Sequence, residues 1–245
     1  MKYAAATQKL TAFRQQIADI RQQMRKVQAD IEPQEVANYE FRVPDGIVTL
    51  TELFGDHEDL MVVHNMGVSC PGCTLWADGY NGIHQHVTSR AAFVVSSPDA
   101  PEVQQKFAAS RGWVFPMVSH MGNSFAEDMG YRTATRLLPG MSVFKRKANK
   151  ILRVSDVTWS PGDDFCTIWH MFDLLPEGPA GWMPKLRYSA DAAAQAGAQA
   201  GAPAAAEGAI QAPTQAGGQT PAFVASQSAT QSASEPLQSC SKECH

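Results

Sequence analysis

Cys70-Pro71-Gly72-Cys73 is the segment of this chain best suited to covalent chemistry. Two thiols three residues apart on the first turn of a helix can close a small disulfide. The first sits where free backbone N–H groups and the helix dipole stabilise negative charge, which lowers its pKa and makes it the nucleophile. Pro71 suits the first helical position because it has no N–H to leave unpaired. A mixed disulfide on Cys70 would be resolved by Cys73, the more enclosed thiol. A lone CxxC carries little information, but one at a strand-to-helix junction within a βαβ pattern points to redox work.

Three further cysteines bring the count to five, so at least one thiol is unpaired within the chain. Cys166 falls on an amphipathic stretch and reads as a buried, inert thiol. Cys240 and Cys244, with His245 beside them, form a CxxxCH end. They stand open to three readings: a tethered second dithiol that exchanges with Cys70 and Cys73, a metal clip, or an incidental exposed pair. A separate reading takes the soft ligands together. Cys70, Cys73, His64, Met66 and His245 combine thiolate, imidazole and thioether, a set that suits copper(I) or, for the cysteines and histidines, zinc. His84 and His86 are two apart on a helix, point to different faces and form no chelate.

The elements that position these residues follow from composition and pattern. Twenty basic residues against 24 acidic ones give a net charge of -4, with no long-range field for gripping nucleic acid or an anionic membrane. No apolar run is long enough to span a bilayer. Met1-Lys2-Tyr3 and the alanines after it lack the apolar core of a secretory signal, so a cytoplasmic location is expected. Five cysteines are also far too few for a disulfide-stapled secreted scaffold.

Leu10, Phe13, Ile17, Ile20, Met24, Val27 and Ile31 recur at spacings of 3 and 4, a heptad stripe on a helix over residues 1–32. That stripe packs on its own domain or forms the seam of a homodimer. From Pro33 the pattern alternates β and α: a short strand and a Pro-Asp-Gly turn over Phe41–Gly46, a second strand running into a loop over Ile47–Phe54, a buried strand at Leu60–His64, and a helix at Pro71–Val87. A strand at Ala91–Val95 follows, then a helix at Ala100–Ser110, strands at Phe115–Val118, Met141–Lys145 and Ile151–Thr158, and a helix at Asp163–Leu174. This order predicts an α/β domain over 33–188, a mixed central sheet with helices on both faces. Residues 189–245 are rich in Ala, Gly, Gln, Ser and Thr and read as a disordered tail. A flexible tether of that length spans on the order of 40 Å, enough to reach back across a small domain.

Phe41 to Phe54, the CPGC motif with Trp76-Ala77-Asp78-Gly79-Tyr80-Asn81-Gly82 after it, Gly112-Trp113-Val114-Phe115-Pro116 and Leu138-Pro139-Gly140-Met141-Ser142-Val143-Phe144 carry a resemblance. Over about Leu10 to Pro176 the chain resembles the thioredoxin-like bacterial family filed as domain of unknown function eight-nine-nine. The resemblance implies a thioredoxin-like fold, near the peroxiredoxin branch, with an N-terminal helical extension. It implies no substrate. The loop between His64 and Cys70 is shorter than the family's, and the tail is longer.

Within the resemblance, Pro139 is the candidate for the cis-proline that faces the dithiol in thioredoxin folds, with an ordinary turn proline as the other reading. His64 lies six residues before Cys70, where thioredoxins carry a buried acid that helps deprotonate the resolving thiol. It reads either as such a base or as a satisfied core histidine. Function then divides among an enzyme, in two variants, a metal carrier and an interaction module. A thiol-disulfide oxidoreductase needs no cofactor beyond its dithiol and takes protein or small-molecule thiols and disulfides as partners. A thiol peroxidase uses the same Cys70, although the Pro-x-x-x-Thr-x-x-Cys arrangement typical of peroxiredoxins is missing. A copper or zinc carrier, or an interaction module with a vestigial pair, completes the set.

Overall fold

The computed structural model describes residues 1–188, and the tail residues Cys240, Cys244 and His245 lie outside them. At the centre are β4 (Asp59–His64) and β5 (Ala92–Ser97), parallel, with His64 opposite Ser96, joined over one face by α2 (Pro71–Thr88). A second crossover, α3 (Pro101–Arg111), leads to β6 (Met117–Ser119), parallel to β5. On the other side of β4 runs β7 (Gly140–Lys147), antiparallel, followed by its hairpin partner β8 (Lys150–Thr158) and the short α4 (Thr167–Phe172). The order β5-β4-β7-β8, with a helix between the first two strands and another after the last, is a thioredoxin-like fold.

Three strands widen this unit. β1 (Gln34–Val36) joins the edge at β8, while β2 (Glu40–Val43) and β3 (Gly46–Thr49) form a hairpin at the β6 edge. The result is one eight-stranded sheet in the order β1-β8-β7-β4-β5-β6-β2-β3. Strands buried on both faces read as continuous apolar runs, as β4 and β5 do. On one face Leu60, Val62 and Val94 pack with Phe41, Phe54, Phe125, Tyr131 and Phe144. Val63, Phe93 and Val95 face the other way, against Trp76, Ala77 and Tyr80 of α2 and Trp113, Phe115 and Trp159. The dithiol helix therefore belongs to the second face.

Local chemistry explains where the elements start and stop. Pro71 and Pro101 occupy the first turns of α2 and α3, and Gly112 closes α3 in the left-handed region at φ +67°. Gly140 opens β7 where a Cβ would collide with the Tyr131 ring and the Val157 carbonyl oxygen, so only glycine fits. Within Ile47–Phe54 the strand gives way at Thr49, which donates from its N–H (2.7 Å) and hydroxyl (2.6 Å) to the Glu52 carboxylate and closes a turn. Asp163 likewise holds Ser160 and Phe165 by their N–H groups in a turn, so the last helix begins at Thr167 rather than Asp163.

The N-terminal helix α1 (Tyr3–Ala29) buries no residue. It touches the domain through an Arg21–Asp164 ion pair and the Gln28 amide bonded to the Val154 carbonyl. No helix among the described residues is long and apolar enough to cross a membrane.

Candidate active site

β4 ends at His64, and the chain reaches α2 through a loop held at almost every residue. Asn65 N–H bonds the Ser96 carbonyl (2.9 Å), and Gly67 N–H bonds the Asn65 side-chain oxygen (2.8 Å). Val68 N–H donates to the Asp99 carboxylate at 3.0 Å, and Cys70 N–H closes a turn onto the Gly67 carbonyl at 3.1 Å. Gly67 has φ +109°, and a Cβ there would lie 3.1 Å from Asp99. Asp99 is held in turn by the Ser97 hydroxyl, which accepts from the buried Gln104 amide. This network sets the entry angle of the dithiol turn.

Cys70 is the N-cap of α2, and its sulfur accepts the Cys73 N–H at 3.0 Å. The two sulfurs lie in hydrogen-bond contact at 2.7 Å as free thiols. Contact with the Cys73 thiol, together with the N–H groups of Cys73 and Gly72, outweighs the effect of burial and brings Cys70 from 9.0 down to about 7. Cys73 is only 3% exposed; its bond to Cys70, then its burial, raise its pKa far above the usual thiol range. The Met66 N–H, 3.4 Å from the Cys73 sulfur, acts in the opposite direction. One thiol is thus prepared to be a thiolate near neutrality and its neighbour to hold the proton.

Pro139 precedes β7 and borders a small recess with Cys73, Trp76, Trp159 and His64. His64 is 2% exposed, and its ring turns to the sheet face opposite α2, stacked on Tyr131 at 3.7 Å and bonded to the Ser142 hydroxyl at 2.9 Å. Burial, reinforced by His120 and Arg153, pushes its pKa well below 6.5, so the ring is neutral. Its hydrogen bond to Ser142 reaches neither thiol, and its Nδ1 has no hydrogen-bond partner among the described residues. Met66 approaches the pair through its main chain. Cys166 is buried in the cluster around Trp159, and burial raises its pKa, as expected of an inert thiol. No group of three or more His, Cys, Asp or Glu side chains arranged to hold a metal occurs among the described residues.

Asp78 and Asn81 have roles that periodicity does not reveal. Asp78 accepts the Trp113 indole N–H at 2.8 Å and forms a two-pronged ion pair with Arg111. Asn81 donates to the Gly112 carbonyl at 2.7 Å and accepts the Val114 N–H at 3.0 Å. Together they clamp α2 to the turn between α3 and β6, which explains why the WADGYNG and GWVFP segments belong together.

The family model described as "Bacterial protein of unknown function (DUF899)" matches residues 2–188. The chain belongs to this family. A search of curated proteins found no match. Similar solved structures include peroxidoxin BcpB from Mycobacterium tuberculosis, at 22% identity over 51% of this chain and 84% of that one, with a TM-score of 0.44. Another is a cysteine-to-serine mutant of peroxiredoxin Q from Xanthomonas campestris, at 17% identity over 49% and 80%, with a TM-score of 0.41. Reduced Prx3 from Vibrio vulnificus matches at 12% identity over 54% and 89%, with a TM-score of 0.45. The DUF899 match thus spans all but the first of the described residues.

Proposed function

We propose that this protein is a thiol-disulfide oxidoreductase working through Cys70 and Cys73. The observation that carries the reading is the asymmetric pair: two free sulfurs 2.7 Å apart at a helix start, one thiol lowered to about 7 and the other raised. The Cys70 thiolate attacks one sulfur of a substrate disulfide, forming a Cys70–substrate bond and releasing the other half as a thiolate. Cys70 then no longer carries the charge that held the Cys73 proton, which removes the largest cause of the raised Cys73 pKa. The Met66 N–H remains to stabilise the emerging Cys73 thiolate. Cys73 gives its proton to the released thiolate or to solvent, attacks the Cys70 sulfur, breaks the Cys70–substrate bond and expels the second thiolate, so two electrons pass from the dithiol to the substrate. Pro139 bounds the recess beside Cys73 and is proposed to position the substrate chain.

A Cys73→Ser variant exposed to a disulfide substrate should accumulate a mixed disulfide on Cys70, detected by intact-mass and peptide analysis. A folded variant that forms no adduct would reject the reading. Reaction with hydrogen peroxide alone, giving a sulfenic acid at Cys70, would replace it by peroxidase chemistry.

We further propose a homodimer through α1. The seven apolar stripe residues are each 43–68% exposed, and the positions flanking the stripe are polar, among them Lys9, Arg14, Gln16, Arg21, Gln23 and Gln28. Such a narrow stripe with a strict 3,4 repeat fits a second copy of the same helix. At about 60–120 Å² for each buried side chain, a paired seam removes about 1,200 Å² in total, the lower end of stable interfaces.

A further inference from the structure

We propose that the groove between α3 and the loop leading to Cys70 is the substrate subsite of the dithiol, and that it takes disulfides whose non-reacting half is apolar and bears a carboxylate. The proposal rests on the oxidoreductase reading. The groove has a volume of about 540 Å³, within the size range of small-ligand clefts. Val68, Val103 and Phe107 supply the apolar lining. Val68 is the second residue of the Gly67–Cys70 turn, so one wall of the groove belongs to the nucleophile's own turn, two residues before Cys70. The Asp99 bond to Val68 N–H holds that wall in place.

Lys106 and Arg187 provide the cations, and among the described residues neither enters an ion pair. Glu102, one helical turn before Lys106, is the single carboxylate lining the groove, which leaves a net charge of one positive unit. An apolar body with a carboxylate end complements both features, while a doubly cationic ligand would be repelled.

Two aryl disulfides separate this subsite from the chemistry itself: dithiobis(nitrobenzoate), which carries a carboxylate on each half, and dithiodipyridine, which is uncharged near neutrality. In each, the Cys70 thiolate cleaves the S–S bond, and Cys73 then displaces the second aryl thiolate, whose absorbance is read. In stopped-flow measurements on the full chain, Lys106→Ala/Arg187→Ala should lower the rate constant with the carboxylated disulfide about tenfold. The rate with the uncharged one should stay within about twofold. Charge reversal, Lys106→Glu/Arg187→Glu, should deepen only the first effect, and the remote pair Arg136→Ala/Lys147→Ala should change neither rate. Equal loss with both disulfides, or with neither, while the unaltered protein reacts with both, overturns the subsite alone. An unaltered protein that reduces neither disulfide overturns the oxidoreductase reading and the subsite with it.

Discussion

Replacing Cys73 by alanine should move the ionisation of Cys70 from about 7 to 8 or above. The Cys73 thiol is the largest single cause of the lowered Cys70 pKa; what remains after its removal is burial, which raises it, against the N–H groups of Cys73 and Gly72. The shift present in the unaltered protein, 9.0 to about 7, corresponds to about 2–3 kcal/mol of preference for the thiolate. At pH 7 half of Cys70 is then ionised. A midpoint of 8 leaves about a tenth as thiolate, so alkylation by iodoacetamide at pH 7 should fall about fivefold, with rates converging above pH 10. Peptide mass spectrometry assigns the adduct to Cys70 apart from the other thiols. The same shift links to stability. The folded thiol ionises below the unfolded one, so its contribution is fully present above pH 9 and disappears as pH falls through 7. Urea titrations of unaltered and Cys70→Ser proteins should therefore diverge as pH rises between those values. A midpoint unchanged in Cys73→Ala would show that the helix amides alone lower the pKa. One near 8.5 in the unaltered protein would refute the site argument altogether.

Three further outcomes are expected. Ile17→Lys/Ile20→Lys should convert a dimer to a monomer in sedimentation without lowering the thermal midpoint of the sheet domain, because both residues are exposed in the isolated chain; an unaltered protein that sediments as a monomer rejects the seam. Gly140→Ala should cost about 3 kcal/mol, read from denaturant unfolding, because the added methyl meets the Tyr131 ring and the Val157 carbonyl. On sequence grounds Cys240 and Cys244 are proposed as a second dithiol. Mild oxidation of Cys73→Ser should then give a Cys70–Cys240 or Cys70–Cys244 disulfide in peptide maps, and its absence rejects the relay.

What could be read in the chain was what depends on short range. The chemistry of Cys70 depends on a residue three positions later and on the helix that begins between them, so the CPGC segment and its helix were legible together. The central strands were legible for a similar reason, since burial on both faces leaves an unbroken apolar run such as Leu60–His64. β1 was not: a three-residue edge strand with two exposed side chains leaves no periodic trace, and only its pairing with β8 defines it. Asp78 was visible as part of a motif but not as a clamp, because Arg111 and Trp113 lie more than thirty positions along the chain. His64 marks the sharpest limit. Its spacing from Cys70 left a base and a core histidine both open; side chains alternate along β4, and Val63 already faces α2. The next residue must face away, where Tyr131 and Phe125 receive it. In the proposed mechanism, deprotonation of Cys73 follows from changes within the pair itself: loss of the Cys70 negative charge on forming the mixed disulfide, with the Met66 N–H already in place. The proposed mechanism calls on no separate base, and it is compatible with a strand end that carries a neutral, buried imidazole.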